Sequence, residues 1–480
     1  MNNKEIQKTL VGRHNELTFL HKIENSPVSE FVAVLGRRRI GKTFLIREKF
    51  KENRHFFEFT GTKNLSSNLQ IKNFVKSMES YFKISIKSPV KNWNDALHEF
   101  ATLLQTKKAL KAKHIIFFDE LPWLASRRSG FIEALEYVWN SFFSKNSNIF
   151  LIVCGSSANW MIANIVNNKG GLHNRLTRAP IHLKPFTLSE TRDYFDAKAM
   201  RLTLQQIAEI YMVTGGVAYY LNLVDKGESA AHFVNRAFFG PLGPLRIEFD
   251  RLFQSLFENY TSHIHVVRAL AKHPHGLAQD ELAKKLKQNT GGTFTKILAE
   301  LEKSDFIQFH PKLDQSKKNG TYRLADEFTI FYLTWIDGLP QSFKDDLYWQ
   351  KQVGKPRYNS WLGNAFETLC FRHSDKILAA LGISGLTTNI YQFRNKHVEI
   401  DLIIDRSDKC INLCEMKYSA TPFNMTKPEA IKIQKRKAQV LQAKQNKAQM
   451  FVTLVTSWPA IRNQNYLSVV DNEINLEKLF

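Results

Sequence analysis

A glycine-containing segment near the amino terminus has the residue types and the spacing that bind phosphate. It follows the apolar run Phe31–Leu35 and consists of Gly36, Arg37, Arg38, Arg39, Ile40, Gly41, Lys42 and Thr43. This is the pattern G-x-x-x-x-G-K-[ST], placed between a predicted strand and a predicted amphipathic helix. The glycines let backbone N–H groups turn towards phosphates, and Lys42 can reach the β- and γ-phosphates of a nucleotide. The segment predicts a phosphate-binding loop (P-loop) for ATP, with an ordinary strand–helix turn as the alternative.

Two further strand ends carry polar residues that suit the same chemistry. The apolar run Ile115–Phe118 is followed by Asp119 and Glu120, and a later apolar run ends at Ser156. Asp119 suits Mg²⁺ binding together with the Thr43 hydroxyl, and Glu120 suits a base that polarises the attacking water. Ser156 lies either near the γ-phosphate or at a solvated strand end. We therefore predict Glu120 as catalytic, Mg²⁺ as cofactor, and Asp119 and Ser156 as nucleotide-binding residues.

A separate group of polar residues lies near the carboxyl terminus, on two strand patterns joined by a polar turn. Asp401 belongs to the first strand, 400–404, and Glu415 and Lys417 follow the apolar run 411–414. Residues two apart in a strand share a face, so Glu415 and Lys417 project together. Carboxylates from neighbouring strands suit Mg²⁺, and a lysine can orient or deprotonate water. Asp401, Glu415 and Lys417 are predicted as catalytic, the two acids as metal ligands, unless they are only the rim of a hairpin.

The first half of the chain resembles the archaeal-type ATPase family, in the AAA+/STAND group of P-loop NTPases. The resemblance spans roughly residues 8–230 and includes the two nucleotide motifs, "LVGRHNELTFLHKI", "CGSSANWM", "GLHNRLTRAPIHLKPF" and "VTGGVAYYLNLV". It implies a parallel sheet between helices with a helical lid, and an adenine-side motif at Gly12-Arg13. It also implies an arginine finger at Arg175, with Arg178 as second choice, that acts on a neighbouring subunit of a homo-oligomer. Gly215-Gly216 would be the lid motif that senses nucleotide.

The middle of the chain has the pattern of a winged helix, which the same family places here. Two Gly-Pro pairs near residue 240 indicate a boundary. Helical patterns at 264–272, 279–286 and 293–303 precede two strands around an "NG" turn. The third helix would expose residues for phosphate contacts in a major groove but none for obvious base readout. These residues are Thr293, Thr295, Lys296 and Lys303. A module that packs against the ATPase without touching DNA is the alternative.

The carboxyl-terminal part resembles the core of PD-(D/E)XK nucleases, in which an acidic helix precedes an Asp strand and a Glu-x-Lys strand. Glu367, on the predicted helix "WLGNAFETLC", would add a water-mediated metal contact. The resemblance also offers Gln434, on a basic helical stretch at 427–447, as a further candidate for catalysis. That basic stretch is either a solvated face or a surface that follows a phosphate backbone.

The composition favours a polyanionic partner. Lys and Arg number 67 and Asp and Glu 45, for a net charge of +22, which favours nucleic acid first and an anionic membrane surface second. Four cysteines are too few for a disulfide framework. No apolar run has the length of a signal peptide core or of a membrane span, so we expect a cytoplasmic protein that does not bind membranes.

These patterns together predict an α/β protein with four parts. A P-loop NTPase core with a parallel sheet (1–186) is followed by a helical lid (187–245), a winged helix (246–340) and an α/β PD-(D/E)XK-like domain (341–480). The first hypothesis for its function is an AAA+/STAND ATPase that hydrolyses ATP, binds DNA and cleaves it with Mg²⁺. The second is a non-cleaving, ATP-dependent switch that binds DNA or a protein partner through an inactive nuclease-like scaffold.

Overall fold

The computed structural model describes residues 10–106, 113–166, 171–311, 320–340, 343, 345–394, 399–444 and 448–480. The chain forms two compact units. The first contains Met1–Lys184 and Gln254–Glu258, and the second contains Pro185–Phe253 and Asn259–Phe480. The boundaries of the four predicted domains stay a prediction.

The first unit is built on a five-stranded parallel sheet in the order β2-β3-β4-β1-β5. The strands are β1 Glu30–Leu35, β2 Phe56–Thr60, β3 His114–Asp119, β4 Ile149–Cys154 and β5 Ile181–His182. Every residue of β1, β3 and β4 is buried, as expected for apolar strands covered by helices on both faces. The predicted parallel α/β sheet of the P-loop part is confirmed.

Helices pack on both faces of this sheet. They are α1 His14–Glu24, α2 Lys42–Phe50, α3 Ser67–Phe82, α4 Trp93–Thr106, α5 Leu121–Leu124, α6 Phe131–Ser141 and α7 Ala158–Met161. One face carries an aromatic core that includes Phe74, Phe100 and Phe131. The other carries an aliphatic core that includes Leu20 and Leu45. The two cores hold the strands in place, so the loops at the carboxyl ends of the strands are free to carry function.

The second unit begins with helices and then adds a small antiparallel sheet. Its first helices are α8 Leu188–Ala197, α9 Leu204–Thr214, α10 Ala218–Leu221, α11 Ala230–Val234 and α12 Glu248–Leu256, whose last residues group with the first unit. Next come α13 Tyr260–Ala271, α14 Gln279–Lys285, α15 Gly292–Lys303, the strands β6 Ile307–Pro311 and β7 Gly320–Leu324, and α16 Glu327–Trp335. Strands β6 and β7 pair antiparallel, and α15 buries the predicted apolar face of Phe294, Ile297, Leu298 and Leu301. The predicted order of three helices and two strands is present; that it forms a DNA-binding winged helix stays a prediction.

A mixed five-stranded sheet completes the second unit, in the order β12-β11-β10-β9-β8. Its elements are α17 Pro356–Arg372, α18 Ser374–Ala380, β8 Thr388–Arg394, β9 Glu399–Arg406, β10 Cys410–Lys417, α19 Lys427–Ala443, β11 Gln449–Thr456, α20 Gln464–Leu467 and β12 Asn472–Asn475. The predicted hairpin is confirmed, since β9 and β10 pair antiparallel. Strands β10 and β11 pair parallel, and α19 makes the crossover between them.

Among the described residues, no helix combines the length and the hydrophobicity that crossing a membrane requires.

Candidate functional site

The predicted P-loop connects β1 to α2 and places Lys42 inside the loop. The Nζ of Lys42 donates hydrogen bonds to the carbonyl oxygens of Gly36 at 2.8 Å and Arg37 at 2.9 Å. Gly36 has a φ of +140°, and a Cβ there would lie 2.4 Å from the carbonyl oxygen of Leu183, so the turn requires glycine. The ammonium group is thus held by neutral backbone oxygens beside the amino terminus of α2, where anions bind favourably. Arg38 is exposed, whereas Arg37 and Ile40 are buried.

Thr43 and Asp119 meet at the same edge of the sheet. Strand β4 lies between β1 and β3, yet the Thr43 hydroxyl donates to Asp119 Oδ2 over 2.8 Å. A hydroxyl and a carboxylate are hard oxygen ligands, and Mg²⁺ at nucleotide sites takes only one or two protein oxygens beside phosphates and water. The pair therefore fits the predicted Mg²⁺, with Thr43 as ligand and Asp119 beside it.

Glu120 and Ser156 form a second contact at this edge. The carboxylate oxygen Oε2 of Glu120 accepts hydrogen bonds from the backbone N–H of Ser156 at 3.1 Å and from its hydroxyl at 2.8 Å. Glu120 has a φ of +48°, which is uncommon for a residue with a side chain. The structure thus joins the residue predicted as base to the residue predicted near the γ-phosphate.

The two arginines considered for the finger differ in their partners. Arg178 Nη2 lies 2.7 Å from Glu30 Oε1, and Glu30 is fully buried at the first residue of β1. That is the opposite edge of the sheet from the P-loop, so Arg178 holds a buried carboxylate there. Arg175 Nη2 lies 3.6 Å from Glu136 Oε1, and its side chain is 38% exposed. The role of either arginine as a finger stays a prediction.

The Gly215-Gly216 pair follows α9 within the second unit. A Cβ on Gly216 would lie 2.1 Å from the carbonyl oxygen of Phe186, and a Cβ on Gly215 would lie 2.7 Å from Glu327 Oε2. The close backbone excludes a side chain at Gly216, and the φ of +62° at Gly215 disfavours one there. Nucleotide sensing by this pair stays a prediction.

The three residues predicted at the carboxyl-terminal hairpin are brought together. Lys417 Nζ donates to Glu415 Oε1 over 2.7 Å, and the backbone N–H of Met416 donates to Asp401 Oδ2 over 3.0 Å. Glu415 is only 3% exposed. Asp401, Glu415, Lys417 and their partner Arg436 are called the C-terminal cluster below.

Arg436 on α19 is the member that the sequence analysis missed. Its Nη1 donates to Glu415 Oε2, and the residue is buried together with Ala430, Ile433 and Val440. Gln434, the residue proposed from resemblance, is exposed on the other side of the helix. The spacing contained the signal, because Arg436 lies three residues after Ile433 and four before Val440, on the apolar face.

The two acids of the C-terminal cluster have opposite pKa shifts. Burial, together with the nearby charges of Glu415 and Glu367, raises the pKa of Asp401 to about 8. Burial also opposes ionisation of Glu415, but Lys417 and Arg436 outweigh it and hold the pKa of Glu415 below its ordinary value. At neutral pH the cluster therefore contains one carboxylate between two cations, and a largely protonated Asp401.

The C-terminal cluster does not fit Mg²⁺. Each oxygen of Glu415 already pairs with a cation, Oε1 with Lys417 and Oε2 with Arg436. Glu367, predicted to add a metal contact, lies 3.5 Å from Arg323 Nη2. Within the part of the chain that the structure describes, no three or more His, Cys, Asp or Glu side chains gather as a metal site.

Comparisons with known proteins show what the first part of the chain is similar to. Residues 10–224 match the family described as an ATPase domain predominantly from Archaea. The match agrees with the P-loop and the parallel sheet of this part and supports a P-loop ATPase domain. The chain is also 25% identical, over 411 residues, to the uncharacterized protein MJECL04 of Methanocaldococcus jannaschii, covering 85% of this chain and 87% of that protein.

Two solved structures are similar in part. The Walker-type ATPase PABY2304 of Pyrococcus abyssi has a TM-score of 0.48 at 18% identity, and the match covers 68% of this chain and 97% of that chain. The ORC2 protein of Aeropyrum pernix, in ADPNP and ADP complexes, has a TM-score of 0.45 at 13% identity, with 69% of this chain and 95% of that chain covered.

Proposed function

We propose that this chain is an ATP-binding and ATP-hydrolysing ATPase of the AAA+/STAND type. The observation that carries the proposal is the 2.8 Å hydrogen bond from Thr43 Oγ1 to Asp119 Oδ2. It joins the last residue of the P-loop to the end of β3, beside Lys42 and Glu120. Two distant sequence motifs thereby form one site at one edge of the sheet, which is the arrangement that phosphoryl transfer to water requires.

Each residue of the site has a distinct role in this proposal. Lys42, now bonded to two loop carbonyls, turns its ammonium to the β- and γ-phosphates and stabilises the charge that develops there. Thr43 and Asp119 would hold Mg²⁺, which neutralises phosphate charge when bound. Glu120 orients and polarises the attacking water, once it exchanges its hydrogen bonds with Ser156 for one with that water. Arg175 contributes a positive charge from a neighbouring subunit.

The test measures phosphate release from Mg·ATP by the full chain. Lys42→Ala should lower turnover by roughly 100-fold or more, because charge stabilisation at the transferred phosphoryl group is lost. Glu120→Gln should lower turnover similarly but keep ATP binding, since only the water-activating carboxylate is removed.

The matched control is Lys51→Ala, at the end of the same helix, where the lysine is 51% exposed and pairs with Glu48. Its turnover should equal that of the wild type. Wild-type turnover in Lys42→Ala would refute the ATPase proposal.

For the second unit, we infer a DNA-binding switch with a nuclease-like scaffold that does not cleave. The net charge of the whole chain, +22, supports a nucleic-acid partner, and the helices and strands at 260–324 have the order of a winged helix. The resemblance of Asp401, Glu415 and Lys417 to the PD-(D/E)XK pattern supports the nuclease-like scaffold. However, the Arg436–Glu415 pair occupies the carboxylate that a catalytic metal would need.

This inference is tested by incubating the full chain with plasmid DNA, Mg²⁺ and ATP. We expect intact plasmid with the wild type and with Asp401→Ala. Nicking by the wild type that disappears in Asp401→Ala would instead establish the Mg²⁺-dependent nuclease.

A further inference from the structure

A groove lined by basic side chains runs between α13 and α14. It has a volume of about 350 Å³, and its polar lining residues are His265, Arg268, Lys272, His273 and Lys285. The other two lining residues, Ala269 and Leu286, are apolar, so no carboxylate lines this α13–α14 groove. A concave surface lined only by cationic and neutral donors selects anions.

The charges of the groove are largely uncompensated. Arg268 pairs with Asp337 over 2.8 Å, but Lys272 and Lys285 are exposed and make no ion pair with any residue in the described ranges. Burial lowers the pKa of His273 and the charge of Lys285 lowers it further, Glu281 opposes this shift, and Lys272 adds a smaller lowering. Both lysines line the same groove, so they can act on one common ligand.

The geometry of the groove suits a chain of phosphates better than a single phosphate. His265, Arg268 and Lys272 lie at positions i, i+3 and i+7 of one helix, so they form a row about 10 Å long at a rise of 1.5 Å per residue. Lys285 faces this row from α14. A nucleic-acid strand presents a phosphate about every 3.4 Å along the duplex axis, so the row can contact more than one phosphate.

The exposed face of α15, where the sequence predicts phosphate contacts, has a weaker positive charge. Lys296 Nζ lies 3.8 Å from Glu300 Oε1, and the exposed Lys303 follows the exposed Glu302. An acid therefore offsets Lys296, whereas Glu302, the sequence neighbour of Lys303, accepts a hydrogen bond from the backbone N–H of Phe309. We propose that the α13–α14 groove, and not the α15 face, is the main contact surface for a nucleic-acid backbone. The proposal rests on the DNA binding inferred above and names the surface that performs it.

The test compares two double variants that remove the same charge from the two surfaces. Binding of a short fluorescent DNA duplex is measured by anisotropy over a series of salt concentrations. Lys272→Ala/Lys285→Ala should weaken binding roughly tenfold or more and make the plot of log K against log salt shallower by about 2, because each lost phosphate contact removes about 0.9 from the slope. Lys296→Ala/Lys303→Ala should change affinity by about twofold or less.

The possible outcomes distinguish a failure of the groove proposal from a failure of the DNA-binding inference. Wild-type affinity in the groove variant, with a loss in the α15 variant, would overturn the groove and leave DNA binding standing. No binding by the wild-type chain at low salt would refute the DNA-binding inference itself. Thermal unfolding of both variants checks their folding, and Lys272→Gln/Lys285→Gln repeats the test with longer polar side chains.

Discussion

The P-loop edge and the C-terminal cluster use similar residues and differ in what those residues bind. Each combines a lysine with two carboxylates near the ends of strands. At the P-loop edge, Lys42 bonds to backbone carbonyls and Asp119 to a hydroxyl. In the C-terminal cluster, Glu415 bonds to both Lys417 and Arg436. One site keeps its charges available for a ligand, whereas the other neutralises them internally.

This difference indicates that the P-loop edge binds a ligand and that the C-terminal cluster stabilises the fold. Charges held by neutral dipoles can stabilise a charged ligand without first breaking an ion pair. Charges buried against each other are hard to separate, because an unpaired buried charge is strongly destabilising. We therefore expect substitutions at the P-loop edge to change nucleotide chemistry and substitutions in the C-terminal cluster to change folding.

The largest expected effect is on stability at the C-terminal cluster. Arg436→Ala leaves Glu415 buried with one cation instead of two, and we expect the free energy of unfolding to fall by about 3 kcal/mol. Lys42→Ala, in contrast, removes no ion pair and should change it by about 1 kcal/mol or less. Urea denaturation followed by circular dichroism measures both.

Lys435→Ala is the control for Arg436→Ala, since Lys435 is the exposed neighbour on α19. Its effect should stay within about 0.5 kcal/mol. Equal stability of the Arg436→Ala and Lys435→Ala variants would show that the buried pair does not stabilise the fold.

A smaller change in stability is expected when nucleotide binds at the P-loop edge. Mg·ATP, or a non-hydrolysable analogue, at a hundredfold excess over its dissociation constant should stabilise the wild-type chain by about 2.7 kcal/mol. Lys42→Ala should lose most of this stabilisation, and Arg436→Ala should keep it despite its lower starting stability. Thermal shift with and without nucleotide measures this, and a shift that survives in Lys42→Ala would place the nucleotide elsewhere.

The sequence predicted the P-loop edge well because its chemistry depends on strand ends. A buried apolar run followed by a polar residue marks where a strand stops, and parallel strands stop at a common edge. Thr43, Asp119, Glu120 and Ser156 could therefore be placed near one another. That Glu120 bonds to Ser156 instead of facing open space was not predictable, because it depends on the backbone conformation at Glu120.

Of the C-terminal cluster, only the residues on the β9–β10 hairpin could be predicted from the sequence. Strand alternation correctly placed Glu415 and Lys417 on one face, and the pairing of β9 with β10 brought Asp401 beside them. Arg436, which neutralises Glu415, comes from α19. Which helix residue meets which strand residue depends on the tertiary packing and cannot be predicted from local sequence patterns. An arginine at an apolar position of a helix was the only signal, and the resemblance drew attention to Gln434 instead.

A pH-dependent effect tests the protonation of Asp401. Its pKa of about 8, against an ordinary value of 3.8, means that the folded state holds a proton which the unfolded state releases above about pH 4. The stability that this proton provides is complete below that pH and is lost as the pH rises towards 8. Asp401→Asn imitates the protonated acid and cannot ionise in the unfolded state, so its free energy of unfolding should lie within about 1 kcal/mol of the wild-type value near pH 4 and should exceed it increasingly as the pH rises. Between pH 5 and pH 8, urea midpoints of the wild type should fall relative to those of Asp401→Asn. Parallel pH profiles for the two proteins would mean that Asp401 is ionised, and a metal ion could then compete with Arg436 for the carboxylates of the cluster.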